Sequence, residues 1–336
     1  ILIGLFFARM FRRMRIITVA DFMKQRFGAI AEVGIMVTTV VSNVRWVAGM
    51  LVAFGVIFDS LTNIPFETGI IIGAVIVFTY TMLGGMWAVA MTDFVQMIII
   101  IAGLIILLTV VLIDVGGWGA IAPHLPDGTF RMVPFENTGE EWLNYFRAWT
   151  IIGLVDISAQ TLFQRIASAK NERVAQYSFF VGGAGYLTFG MVAVFLGIIG
   201  SVTMPEIANS EFVVPELAKA HLHPVAIAIF VGAMLAAIMS SADSALLAAA
   251  SVISKNALPY VRRDPSAKLT LLVTRLAIPF FGGIAILIAL RIQVVFDLMV
   301  DANILGLAVI IVPFILGVWW TRAVSYTHLR AHETRR

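Results

Sequence analysis

Residues 97 to 113 read "MIIIIAGLIILLTVVLI", an unbroken apolar run with no charge in it. A run of that kind leaves the chain few options. Inside hydrocarbon every backbone N–H and C=O must find its partner within the protein, so only helices and closed barrels span a bilayer. Barrel strands are about 10 residues long and alternate strictly between apolar and polar faces, and this run does not alternate. A spanning helix takes about 20 mostly apolar residues. Runs of that length recur at about 34–57, 68–87, 94–113, 147–163, 177–200, 224–253, 269–290 and 294–320, which predicts eight spans. The expected fold class is therefore an all-α polytopic membrane protein. Composition agrees, since 60% of residues are hydrophobic and 13% charged, against roughly 45 to 50% apolar in soluble domains.

The charges follow the spans. Lys and Arg in short loops mark the cytoplasmic side. The stretch from Arg9 to Arg26 holds six of them, the 165–173 loop holds Arg165, Lys170 and Arg173, and the 255–268 loop holds Lys255, Arg262, Arg263 and Lys268. Intervening loops are acidic: Asp59 and Glu67, then Asp114, Asp127, Glu136, Glu140 and Glu141, then Glu206, Glu211 and Glu216. All the basic loops thus fall on one face of a multi-pass chain in the plasma (inner) membrane, and the expected partner of the positive balance is a lipid bilayer, not nucleic acid. Cysteine is absent, which excludes disulfides and Cys-based metal sites. The five histidines, at 124, 221, 223, 328 and 332, lie in loops or the tail. An intramembrane enzyme would need a nucleophile with its base, or metal ligands, inside the spans, so no enzyme activity and no resident cofactor are expected. The C-terminal "SYTHLRAHETRR", residues 325–336, shifts abruptly to polar residues and reads as a non-native tail, which leaves 1–324 as one membrane domain. The opening "ILIGLFFA" reads as the end of a truncated helix.

The polar residues within the spans carry the functional question. In "LAAIMSSADSALLAAASVISK", residues 235–255, helical spacing gathers Ala237, Ser240, Ser241, Ser244, Ala248 and Ser251 into one small, hydroxyl-bearing stripe. Such a stripe suits close helix packing and equally suits a hard cation that takes several oxygen ligands. Asp243 points about 110° away from the stripe's centre at 100° per residue. A carboxylate in a span costs at least ~2.5 to 3.5 kcal/mol and usually marks an ion path; an Asp near the cytoplasmic end, wetted by water, is the other reading. Asp93, in "LGGMWAVAMTDFVQ", admits two readings: with Thr92 it caps a helix that starts after Gly84 and Gly85, or it lies inside the membrane boundary as a functional carboxylate. Asp156, between Gly153 and the polar pair Ser158 and Gln160, fits a discontinuous helix lining a cavity; a structural pair with a buried Arg and a wetted helix end are the other readings. Arg45 is deep enough to pair with Asp156 or Asp243, and Arg275 is expected to extend to the cytoplasmic surface.

Three segments in order, "TMLGGMWAVAMTDFVQM", "AQTLFQRIASAKNERVAQ" and "AAIMSSADSALLAAASVISKN", resemble the sodium:solute symporter family. The resemblance implies ten core helices arranged as two inverted five-helix repeats, with solute and sodium held where the first helix of each repeat is broken. On that plan the eight spans are core helices 3 to 10, the 147–163 segment is the broken core helix 6, and core helix 1 lies outside this sequence. It implies a sodium site built from the Ala237 carbonyl and the Ser240 and Ser241 hydroxyls. A second cation or proton site would join Asp93 to Ser240, Asp243 and Ser244, with a carboxylate at 243 where sugar-transporting members carry a hydroxyl. Solute contacts are expected from Asp156, Gln160 and Trp46, the last matching an aromatic of the choline-transporting branch that stacks on a quaternary ammonium. That branch has a tryptophan where Ala159 stands here. The implied activity is sodium-coupled import of a small organic solute, such as an amino acid, sugar, carboxylate or choline-like amine, with Na+ as coupling ion and sole metal. A sensor that keeps the symporter fold and signals through a further domain is the alternative.

Overall fold

The computed structural model describes residues 1–134, 136, 138–207 and 209–320, so the predicted tail at 325–336 lies outside the described residues. Fifteen α-helices follow in chain order: α1 (Leu2–Phe6), α2 (Ala8–Met14), α3 (Val19–Phe27), α4 (Ala29–Leu61), α5 (Phe66–Asp114), α6 (Trp118–Ile121), α7 (Gly139–Trp149), α8 (Gln160–Ser168), α9 (Glu172–Thr203), α10 (Val213–His221), α11 (Pro224–Val252), α12 (Leu258–Val261), α13 (Ala267–Ala289), α14 (Val295–Gly306) and α15 (Val312–Trp319). There is no strand among the described residues.

Six helical stretches are long and apolar enough to cross a membrane, where eight spans were predicted. Five of the predicted spans fall in α4, in α9, in α11, in α13 and in α14 continued by α15. The difference lies in the other three. The 68–87 and 94–113 runs are joined in α5, whose 49 residues would reach about 74 Å if straight, more than twice the ~30 Å hydrocarbon core. The helix bends at Gly85, with φ 58° and ψ −158°, a backbone state that residues with a Cβ avoid. The third, 147–163, is not a continuous helix. α7 runs into a π-helical turn at Thr150–Leu154 and a 3₁₀ turn at Val155–Ser158, the backbone extends at Ala159 (φ −67°, ψ 131°), and α8 starts at Gln160. The discontinuous helix expected around Asp156 is therefore present.

Asp93 is not a helix cap. Residues 86 to 92 are already helical, and the Thr92 hydroxyl donates back to the carbonyls of Ala88 and Val89, both at 3.0 Å. The Gly85 bend is confined to one residue, so the second half of α5 restarts well before the carboxylate.

Three apolar clusters hold the helices together. In the largest, α4 and the first half of α5 pack on α11, α13 and α14 through Leu51, Phe54, Ile70, Val77, Ala242, Ala245, Ala249, Ala285 and Leu298. Membrane helices gain little from a hydrophobic effect and associate through close van der Waals fit, which small residues allow. Gly73 shows how close: a Cβ there would fall into the Phe54 ring. On α11 this seam is built by Ala242, Ala245 and Ala249, whereas Ala237, Ser240 and Ser241 stay half-buried. Packing and hydroxyls thus occupy different faces of one helix. A second cluster is aromatic: Phe11 lies 4.7 Å from Phe163 and 5.4 Å from Phe314, joining α2, α8 and α15. The third joins the far half of α5 to α9, α10 and the start of α11 through Leu107, Val111, Leu196, Leu217 and Phe230. Outward-facing Ile98, Ile106, Val181 and Leu187 are exposed, as suits contact with lipid.

Candidate ion and solute sites

On α11 the Ser240 hydroxyl donates to the Ala237 carbonyl at 3.3 Å, and the Ser244 hydroxyl reaches the Ser240 carbonyl at 2.9 Å. Back-bonding of this kind is ordinary for Ser in a helix. It also places the Ala237 oxygen and the Ser240 hydroxyl side by side, with half-buried Ser241 one residue further on.

The deeper carboxylate is Asp243, fully buried. Its Oδ2 accepts the Tyr80 hydroxyl at 2.7 Å and its Oδ1 faces the Ser244 hydroxyl at 3.1 Å. Tyr80, from the first half of α5, also lies 3.1 Å from the Met239 carbonyl. No local pattern in the sequence singles out Tyr80, a half-buried phenol whose hydroxyl takes a partner as such groups ordinarily do.

Asp93 and Asp243 do not share a hydrogen bond; Arg165 and Ser244 stand between them. One guanidinium nitrogen, Nη2, donates to Asp93 Oδ2 at 2.5 Å and to the Ser244 hydroxyl at 2.7 Å, while Nη1 lies 3.6 Å from Met86 Sδ. Arg165 was expected in a cytoplasmic loop. It belongs to α8, and its side chain turns inward because the Asp93 carboxylate and the Ser244 hydroxyl lie within reach of a long, forked donor. Asp93 Oδ1 is buried without a hydrogen-bond partner.

The broken segment places Asp156 on an exposed 3₁₀ turn, and among the described residues no cation pairs with it. Gln160 is buried, but its amide is held elsewhere: Oε1 accepts the Val19 N–H at 2.8 Å and Nε2 donates to the Ile17 carbonyl at 3.3 Å. The Gln160 amide is therefore engaged by the start of α3 and not by Asp156. Trp46 is half-buried on α4, packed against the largest cluster. Its neighbour Arg45 pairs with neither Asp156 nor Asp243 but with Asp301 of α14, at 2.6 Å. α4 and α14 run alongside each other, which puts a carboxylate from the facing helix nearer than either predicted partner.

A polar network at the basic ends of the helices was not foreseen. Glu32, 1% exposed, accepts from Lys24 Nζ at 2.9 Å, Asn256 Nδ2 at 3.0 Å and the Tyr260 hydroxyl at 2.5 Å. Asn256 also donates to Asp21 at 2.8 Å and accepts from the Thr18 hydroxyl at 2.8 Å. Thr18 and Asp21 form a capping box on α3, a signal readable in "TVAD". The bond to Glu32 holds the Lys24 ammonium above the ordinary lysine range, against a smaller opposing effect of burial.

An apolar helical bundle, a helix interrupted at an open carboxylate and a hydroxyl-bearing face on a neighbouring helix define a polytopic membrane protein with the architecture of a secondary carrier. The chain belongs to the sodium:solute symporter family, whose model matches residues 1–331. It is 30% identical over 315 residues to the human "High affinity choline transporter 1", covering 89% of this chain and 53% of that protein. It is 26% identical over 293 residues to a Bacillus subtilis high-affinity proline transporter, covering 81% of this chain and 59% of that one. The chain thus spans a little over half the length of these curated relatives. A solved Na+-coupled sialic acid symporter, described as substrate-bound and outward-open, superposes with a TM-score of 0.81 at 16% identity over 98% of this chain and 72% of that one. At that identity the likeness speaks for the fold, which is the symporter fold expected.

Proposed function

We propose that the protein carrying this chain is a sodium-driven secondary transporter of the plasma (inner) membrane that imports a small amine-bearing organic solute. The observation that carries this reading is the interrupted helix at Asp156 in a member of this family. A helix broken at membrane depth frees backbone carbonyls and N–H groups to meet ion and solute. Sodium is assigned to the Ala237 carbonyl with the Ser240 and Ser241 hydroxyls, an oxygen set suited to a hard cation. Asp93, Asp243 and Ser244 form a second cation or proton site. Asp156 supplies the negative charge that answers the solute's amine, and Trp46 an aromatic face for it. Gln160, its amide already bonded to Ile17 and Val19, anchors the inner half of the broken helix instead of touching solute.

The test is uptake by the full-length protein in proteoliposomes, with radiolabelled choline, proline and sialic acid as first probes. A sodium gradient is expected to drive accumulation of an amine-bearing probe. Ser241→Ala is expected to raise the sodium half-saturation concentration about tenfold, since losing a ligand of a charged species costs roughly 1.5 kcal/mol or more. Asp156→Asn is expected to abolish uptake of cationic probes while leaving the protein folded. Uptake of the same size without sodium would remove the basis of this assignment.

A further inference from the structure

We propose that Arg165 is a tethered cation that competes with sodium for the Asp93–Ser244 pocket, so that the pocket holds either the chain's own guanidinium or a free ion. This rests on the reading of Asp93, Asp243 and Ser244 as a cation site. The geometry carries it in three ways. One guanidinium nitrogen already lies on both a carboxylate oxygen and a hydroxyl oxygen, at 2.5 and 2.7 Å, which are the atom types a sodium ion would take. The arm comes from α8, the helix that resumes after the break, while both acceptors are on other helices, α5 and α11. Because the arm and its acceptors sit on different helices, a movement of α8 relative to α5 and α11 is what carries the guanidinium out, which ties the filling of this pocket to the broken helix. Finally, Asp93 Oδ1 is buried with no partner. Asp243 Oδ1 faces the same Ser244 hydroxyl that Arg165 reaches, so the cluster keeps oxygen ligands for a cation that Arg165 alone does not exhaust.

Charge decides the expected sign. A cation beside a carboxylate weakens its hold on a proton by on the order of tenfold to a thousandfold, and a sodium ion meets the same opposition. Removing the tethered charge should tighten sodium binding by about tenfold or more.

The experiment uses the purified full-length protein, with thermal stabilisation read against sodium concentration and N-methyl-D-glucamine chloride keeping ionic strength constant. A ligand that binds only the folded state stabilises it by RT ln(1 + L/Kd) at free concentration L, so fitting the melting temperature against sodium concentration returns the half-saturation value. Arg165→Gln is expected to lower the sodium half-saturation at least about tenfold, Arg165→Lys to stay near wild type, and Asp93→Asn in the Arg165→Gln background to cancel the gain. Equal half-saturation in wild type and Arg165→Gln overturns the proposal, as does a gain that survives Asp93→Asn. If Ser241→Ala changes nothing while the Arg165→Gln gain and its loss remain, the first sodium site is wrong and the tethered cation stands. Should Arg165→Gln fail to fold, the wild-type pocket still answers. With any cysteine outside this cysteine-free chain replaced by serine, spin labels at Met91→Cys and Ser168→Cys, both exposed, report the separation of α5 from α8. Saturating sodium is expected to lengthen that distance, and an unchanged distribution refutes the competition.

Discussion

Glu32→Ala is the most informative perturbation of stability. The carboxylate is 1% exposed and accepts from three side chains, but these donors respond differently to its loss. Asn256 is 2% exposed and keeps its bond to Asp21, so the bond it loses costs about 1 kcal/mol. Tyr260 is 52% exposed and recovers water, a cost of at most ~0.5 kcal/mol. The Lys24 side chain is 50% exposed and falls in the surface ion-pair range of about 0 to 1 kcal/mol. The buried side-chain carbons of Glu32 add about 1 kcal/mol of lost contact. The expected total is about 3 kcal/mol, at the low end of the ~3 to 5 kcal/mol for breaking a fully buried pair, because Lys24 can be rehydrated. Glu32→Gln keeps the shape and an acceptor oxygen, and should cost about 1 kcal/mol. Reversible unfolding in mixed detergent micelles measures both. A Glu32→Ala loss under ~0.5 kcal/mol, within the range of an ordinary surface change, would refute the account of this network, as would Glu32→Gln proving as harmful as Glu32→Ala.

Two further predictions concern backbone and charge. Gly85→Ala places a Cβ at φ 58° and ψ −158°, a region tolerated essentially only by Gly, and is expected to cost about 1 to 3 kcal/mol; a melting temperature equal to wild type would show that α5 does not need this bend. The pairing of Lys24 with Glu32 raises the lysine's folded-state pKa. Its contribution is therefore complete below the unfolded lysine pKa and is lost as pH climbs through the raised folded value. The melting-temperature gap between wild type and Lys24→Met should be constant at neutral pH and shrink only in the strongly alkaline range; a gap that closes near neutrality contradicts the pairing.

The long spans were legible because the bilayer imposes a length and a composition on each helix, so α4, α9, α11 and α13 need no tertiary information. The Gly84 and Gly85 pair marked the bend in α5, but spacing does not say whether a helix stops or merely turns there, and Asp93 was accordingly read as a possible cap. The interruption at Asp156 was readable from a carboxylate beside Gly153 and Gln160 within an apolar run. Partner choice was not readable. Arg165 lies next to Lys170 and Arg173 in sequence and counts as a loop charge, yet its arm is long enough to reach Asp93, 72 residues away in the chain. Arg45 found Asp301 because α14 packs beside α4, a neighbour relation no local pattern encodes. The Glu32 network joins residues more than 220 positions apart, and nothing local to Glu32 announces it.

The two hydrogen bonds from Gln160 to the backbone of Ile17 and Val19 have a mechanical consequence. They act as a rivet between the inner half of the broken helix and the start of α3, and each takes about 1 kcal/mol to break. A tilt of α8 that leaves the rivet intact drags α3 with it, converting a movement beside the turn at Asp156 into a displacement of the basic segment. A fluorophore attached at exposed Gln25 of α3 would then sense movements of the broken helix from a distance, and a load applied to α3 would in turn reach α8.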